Sequence, residues 1–253
     1  PQGLGLYFYT MESLVQLSPE DLYVFKGKRQ RLVNELQALG ISDASVLRAM
    51  NTVPRHLFFD PHTGVSALLE HAYANKALPI GSGQTISHPY TVAFQTQSLQ
   101  LEPGQQVLEI GTGCGYQTAV LLEMGVKVFS IERQKKLIDA TRQWLPRLGY
   151  TKAKLFYGDG YAGLPAFAPF DRIIVTAAAP QLPKILLKQL KIGGHMIIPI
   201  GSDHVQVMHL YTRLSESRIQ GKTLGKFNFV PMLDRKSTRL NSSHEWISRM
   251  PSS

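Results

Sequence analysis

The sequence predicts an α/β fold: a mostly parallel sheet of seven strands, helices on both of its faces, and a helical cover on the N-terminal side. Three observations predict it. Residues 107–117, VLEIGTGCGYQ, pass from a buried apolar run through an acid into three glycines, and the amphipathic stretch Thr118 to Met124 follows; this reads as strand, tight turn and helix. Short apolar, often β-branched runs then alternate with helical patterns down the chain, as crossover-connected parallel strands require. Finally, 253 residues of 43% apolar and 18% charged content are enough to bury the core of one such domain.

Taken in order, the chain begins with PQGLGLYFYT, which has no clear period and precedes Met11, a candidate start. Residues 1–27 read as a poorly defined extension, 28–234 as a single domain. From Lys28 to Leu39 the apolar positions Leu32, Val33, Leu36 and Leu39 fall at helical spacing, and Gly40 is a stop. Ile41 to Met50 repeats the pattern, with Ser42 or Asp43 as cap and Val46, Leu47 and Met50 as buried face. These two helices form the cover. A short helical turn is expected at 67–70. His56, His62 and His71 lack the spacing and the neighbouring carboxylates of a metal site, so they read as surface or capping residues, and no metal is expected. In LPIGSGQTISHPY, residues 78–90, prolines and glycines forbid a regular helix, yet the stretch offers Ser82, Thr85, Ser87 and Tyr90 before a helix over 91–101. It reads as a lid or substrate floor.

After the glycine turn, strand VKVFSI ends at Glu132, twenty-one residues beyond Gly111, where a carboxylate can accept both hydroxyls of a ribose. Lys135 to Leu148 is an amphipathic helix that Pro146 bends or ends. A third apolar run leads into YGDG, which sets Gly158 and Asp159 within reach of an adenine edge. RIIVTA, residues 172–177, is a buried fourth strand; 183–191 reads as a helix stopped by Gly193-Gly194; HMIIPI is a fifth strand. VQVMHLYT and KFNFVP suggest two late strands joined by a long connection, an antiparallel edge. From Arg235 the serine-rich RKSTRLNSSHEWISRMPSS has no apolar period and reads as a non-native linker, vector or adapter sequence, or else as a natural disordered tail.

The chemistry narrows as the residues accumulate. Gly111, Gly113 and Gly115 can take positive φ and lack a Cβ, so backbone amides can approach a ligand at a helix start. Their spacing is GxGxG rather than the GxGxxG of dinucleotide folds. Glu109 before the glycines, Glu132 after strand two and Asp159 after strand three together resemble the motifs of Rossmann-like class I S-adenosylmethionine-dependent methyltransferases. The resemblance implies that Glu109 meets the amino group of the cofactor's methionine part, directly or through water, that Glu132 holds the ribose, and that Asp159 faces adenine.

A closer resemblance rests on LPIGSGQTISHPY, VLEIGTGCGYQTA, GDG, FDRIIVTAAAP, LKIGGHMIIPIG and FVPML. Over about 31–233 the chain resembles the bacterial protein-L-isoaspartate O-methyltransferases, which implies methyl transfer to the free α-carboxylate of L-isoaspartyl residues in damaged proteins. That resemblance also implies Ser87 as the catalytic residue, with Gln84, Thr85, Ile86 and Ser87 at the cofactor and a monomeric enzyme. Alternatives are a methyltransferase acting on RNA or a small molecule, and a cofactor-binding protein without catalysis. The TAAAP segment lacks the acid or amide, paired prolines and aromatic that amino-directed DNA methyltransferases carry after strand four. Cys114 is the one cysteine, which excludes an intrachain disulfide and a cysteine-based zinc cluster and fits a reducing compartment. The formal charge of +9 is moderate, without a dense basic run interleaved with aromatics, so no specific nucleic acid is expected. Neither a run of 18 apolar residues nor a signal-peptide pattern is found, so the expectation is cytoplasmic and without a membrane.

Overall fold

The computed structural model describes residues 19–59, 69–201 and 205–232. Residues 67 and 68 of the expected turn fall outside them, as do His62 and the segment 235–253, while 69 and 70 are helical.

Helix α1 spans Pro19–Ala38, beginning well before Lys28, and Gly40 ends it with φ +96°. α2, Ala44–Thr52, is capped by Asp43, whose carboxylate accepts from the amides of Ser45 and Val46. Residues 78–90 do hold a regular element: β1, Leu78–Gly81, pairs antiparallel with β2, Gln84–Ile86, around Ser82 and Gly83. Both turn residues have positive φ, +52° and +67°, as a two-residue hairpin turn matching strand twist demands. Helix α3, Pro89–Ser98, starts with proline at its first position, where a missing N–H costs nothing.

The main sheet comprises β3 (Gln106–Ile110), β4 (Lys127–Glu132), β5 (Lys154–Tyr157), β6 (Phe170–Val175), β7 (Leu190–Ile200), β8 (Gln206–Arg213) and β9 (Ile219–Phe227), in the order β5-β4-β3-β6-β7-β8-β9. The first five run parallel and the last two antiparallel. α4 (Tyr116–Glu123), α5 (Lys135–Arg147) and the short α6 (Lys184–Lys188) make crossovers. Strand alternation splits the core in two. Val107, Ile174 and Ile197 face the layer holding Leu36, Met50, Val92 and Val120, whereas Leu108, Ile173, Met196 and Ile198 face Leu186 and Leu187 of α6. The α1–α2 cover packs on α3 and α4.

Three expectations are corrected. The helix read over 183–191 is only α6, and β7 already begins at Leu190 and runs through Gly193-Gly194. Gly193 sits at φ +80°, and a Cβ on Gly194 would lie 2.9 Å from the carbonyl oxygen of Asp171, so these glycines shape an irregular register against β6 and do not stop a helix. The last strand is Ile219–Phe227 and not KFNFVP, and it is joined to β8 by a short turn. IQGKTLGKF is exposed along most of its length, so it carries no apolar alternation to read. Lastly, His56 is buried: it stacks on Phe25 at 4.1 Å, and its Nδ1 lies 2.7 Å from the Tyr73 hydroxyl.

Two glycines test this packing with opposite signs. A Cβ on Gly160 would lie 2.5 Å from Ile110 Cγ2 and 3.0 Å from Met232 Cε, whereas one on Gly27, in the exposed interior of α1, meets nothing within 4 Å. Gly160→Ala should therefore cost about 1–3 kcal/mol, and Gly27→Ala should add about 0.5–1 kcal/mol. Urea melts of both variants check this, and shifts of the same sign would contradict the packing described.

Candidate active site

The site is built where β3 runs out. Past Ile110 the backbone turns through Gly111, Gly113 and Gly115 at φ +96°, +54° and +86° before α4 begins. The first of these has to be glycine for two reasons. Its φ lies in the left-handed region, and a Cβ there would stand 2.5 Å from Thr176 Oγ1. That hydroxyl sits at the end of β6 and donates toward the carbonyls of Ile110 and Gly111, at 3.0 and 2.8 Å. From the other side, Thr141 of α5 donates to the Gly113 carbonyl at 2.7 Å, and its methyl would meet a Cβ on Gly115 at 2.9 Å. The turn is pinned from two directions.

A cavity opens beside it. Gln84, Thr85, Ile86 and Ser87 form one wall, Gly111, Thr112, Gly113 and Cys114 another, and Glu132, Thr176 and Val230 complete it with Tyr116 and Gln117. Seven of the sequence-derived site residues thus meet: Gln84, Thr85, Ile86, Ser87, Gly111, Gly113 and Glu132. The other four are not among the residues that line it. Gly115 is the N-cap of α4, and Gly158 donates its amide to the Glu132 carbonyl at 3.0 Å. Asp159 accepts from the Tyr161 amide at 3.0 Å. Glu109 is fully buried, one oxygen held by the Thr118 hydroxyl at 2.5 Å.

The polar groups of this site are unevenly satisfied. Glu132 is 7% exposed, with one oxygen accepting from the Gly113 amide at 2.9 Å and the other from the Gln134 amide at 2.7 Å. Each carboxylate oxygen retains acceptor capacity on the cavity side. Glu109 Oε1 and Gln117 Oε1 are buried without a partner. Gln117 lines the cavity while its amide nitrogen donates to Thr96 at 3.0 Å. The orphaned Gln117 acceptor, beside Glu132 and a Cβ-free turn, suits a ligand that brings donors. Cys114 is no nucleophile here: burial pushes its thiol up to about 11.

Ser87 is held from behind by a residue that motif reading passed over. Arg55 is fully buried, and its Nη2 donates to the Ser87 carbonyl at 2.8 Å while its Nε donates to the Ala72 carbonyl at 2.9 Å. Its guanidinium lies 4.8 Å from the Tyr116 ring centroid, joining the hairpin's end to the helix after the glycine turn. Beside it, His88 is half-buried; desolvation first, then the Arg55 charge, hold its pKa below the ordinary imidazole value, so it is neutral at pH 7. Thr112, Gln117, Thr176 and Val230 were likewise missed. Each lies in a segment the sequence had singled out, Thr112 and Gln117 in the glycine turn and just after it, Thr176 in TAAAP and Val230 in FVPML, but no residue type there announced a place on the cavity wall.

Known proteins resemble this chain closely. The family model for protein-L-isoaspartate(D-aspartate) O-methyltransferase (PCMT) matches residues 27–237. A protein-L-isoaspartate O-methyltransferase from Cytophaga hutchinsonii is 52% identical over 216 residues, covering 85% of this chain and 95% of the relative. One from Christiangramia forsetii is 50% identical over 218 residues, covering 86% and 100%. Among solved structures, a protein-L-isoaspartate O-methyltransferase superposes with a TM-score of 0.74 at 28% identity, covering 86% of this chain and 69% of the other. A beta-aspartate methyltransferase (PCMT) from Plasmodium falciparum, in complex with S-adenosyl-L-homocysteine, gives 0.70 at 27%, covering 81% and 98%.

Burial raises the pKa of Glu109 to about 8, against the lowering effect of its hydrogen bond from Thr118. Between the ordinary carboxylate value and about 8, the folded chain then holds a proton that the unfolded chain has lost. Stability contributed by this group is present at low pH and lost as pH rises toward 8, with a slope of at most about 1.4 kcal/mol per pH unit. Urea midpoints from pH 5 to 8 should fall less steeply in Glu109→Gln than in the wild type. Parallel curves would contradict it.

Proposed function

The chain belongs to the protein-L-isoaspartate(D-aspartate) O-methyltransferase family, and on that premise we propose how its own residues perform the family's reaction. It is an S-adenosylmethionine-dependent enzyme that methylates the free α-carboxylate of L-isoaspartyl residues in damaged proteins, the first step of their repair. One observation carries the residue assignments: Glu132, the glycine turn and the hairpin's Ser87 bound a single cavity at the C-terminal ends of β3 and β4.

In this reading Glu132 accepts the ribose hydroxyls, Asp159 faces the adenine, and Gln84, Thr85 and Ile86 close over the nucleoside. Gln117 supplies an acceptor to the cationic methionine part, which fits its unpartnered oxygen, and Glu109 meets the amino group directly or through water. When bound, the cofactor supplies an electrophilic methyl group on a sulfonium. The acceptor is a carboxylate whose reference pKa is near ~4, so it arrives ionised. Ser87 therefore has to place an anion and not to remove a proton, and its hydroxyl donates to the acceptor carboxylate while Arg55 fixes its backbone. Placement of this kind can lower a barrier by about 7–11 kcal/mol.

We take residues 28–234 as the catalytic unit, the chain as a monomer, and the cytoplasm as its compartment, the last because its lone cysteine suits reducing conditions. Among the described residues no helix is long and apolar enough to cross a membrane.

The test is label transfer from S-adenosylmethionine to an isoaspartyl peptide, with the aspartyl isomer as control and Ser87→Ala as the variant. Wild type should label only the isoaspartyl form. Ser87→Ala should lose about 1.5–3 kcal/mol, roughly ten- to a hundred-fold in turnover, with calorimetric cofactor affinity nearly unchanged. Equal labelling of both isomers would overturn the substrate assignment, and wild-type turnover in Ser87→Ala would overturn the role of that hydroxyl.

A further inference from the structure

A second cavity, of about 470 Å³ and open to solvent, lies between the start of α3 and the end of β9. Its size is that of an ordinary ligand pocket, about 300–1,000 Å³. His88, Tyr90 and Phe94 form one side, Leu224, Phe227 and Asn228 the other. The interior is aromatic. Tyr90 and Phe227 are stacked with centroids 6.3 Å apart and planes 9° from parallel, and Phe94 meets Phe227 at 5.0 Å.

Two chain segments connect this cavity to the acceptor site. The run through Ser87 and His88 into α3 walls the acceptor cavity with Ser87 and the second cavity with His88; the run after β9 does the same with Val230 and Asn228. Ser87 and His88 are consecutive, their Cα atoms about 3.8 Å apart, so one segment walls both cavities and a chain bound over it borders both. An isoaspartyl linkage routes the main chain through the side-chain carboxyl and leaves the α-carboxylate as a short branch. With that branch at Ser87, the main chain has to continue along the protein surface past this point.

We propose that the aromatic cavity is a specificity subsite: it receives the side chain of a residue within two positions of the isoaspartyl residue and selects an aromatic one there. This rests on the acceptor reading of Ser87 above. An aromatic side chain is the occupant that the chemistry favours, because it buries about 150–250 Å² and packs in offset or edge-on fashion against other rings. An acidic side chain would lose its water against the negative ring faces of Tyr90, Phe94 and Phe227. Lys226 on the exposed rim stays in solvent.

The test is a series of isoaspartyl peptides with alanine or phenylalanine at each of the two positions before and after the isoaspartyl residue. At one position phenylalanine should lower KM about ten-fold against alanine, with kcat within two-fold. Phe227→Ala removes a wall ring, and Leu224→Trp fills the cavity; in either variant the two peptides should converge in KM. Calorimetric binding of S-adenosylhomocysteine reports whether each variant is folded, and if Phe227→Ala is not, Leu224→Trp decides. Alanine peptides that are methylated with no preference above two-fold at any position would overturn the subsite alone, as would a preference undiminished by a folded variant. Failure to methylate any isoaspartyl peptide, the alanine series included, would instead overturn the acceptor reading and the subsite with it.

Discussion

The site depends on one crowded contact, where the Thr176 hydroxyl at the end of β6 occupies the space a side chain on Gly111 would need. Because the sheet order reverses about β3, with β4 on one side and β6 on the other, a crevice forms at the carboxyl ends of these strands. The contact with Thr176 fixes the path of the backbone out of β3, and Thr141 fixes it again two residues later. A turn held in this way presents its amides and its open faces in one arrangement. Glu132 accepts the Gly113 amide only because the turn comes back toward β4.

From that geometry follows a division of labour. One part of the cavity offers acceptors, with Glu132 on the wall and Gln117 also lining it. Another part is made of the hairpin end that carries Ser87, and Arg55 ties it to the ring of Tyr116 across the cleft. Arg55 is a buried cation whose Nε and Nη2 donate to carbonyls of Ala72, Lys76 and Ser87, which makes it a clamp between loop segments. Such a site binds and aligns. It suits a nucleophile that is already charged, and the reaction of this family supplies one.

Much of this was legible in the sequence because its signals were local. β-branched runs marked β3, β4 and β6, Asp43 capped α2, and the glycines announced the turn. What could not be read depended on partners far along the chain. β9 is an exposed edge whose residues need no apolar alternation, so its pairing with β8, and not its composition, makes it a strand. Gly193-Gly194 resembles a helix stop until β6 is placed beside it. His56 and Arg55 look like surface polar residues, yet Phe25, Tyr73 and Tyr116 enclose them. Thr176 gave no sign of its role, because its two acceptors lie more than sixty residues earlier.

The central claim is that this enzyme places a pre-ionised carboxylate and needs no general base. Among the described cavity residues, burial raises the pKa of Cys114 to about 11 and that of Tyr116 as well, while the neighbouring His88 is shifted downward. The most direct measurement is the pH profile of initial methyl transfer to an isoaspartyl peptide under cofactor saturation, read as label incorporated before the ester hydrolyses. A flat profile from pH 6 to about 8.5 is expected, since the acceptor's ordinary carboxyl pKa lies near ~4. A rate that climbs ten-fold per pH unit and levels off near neutrality would show a base at work and contradict the account.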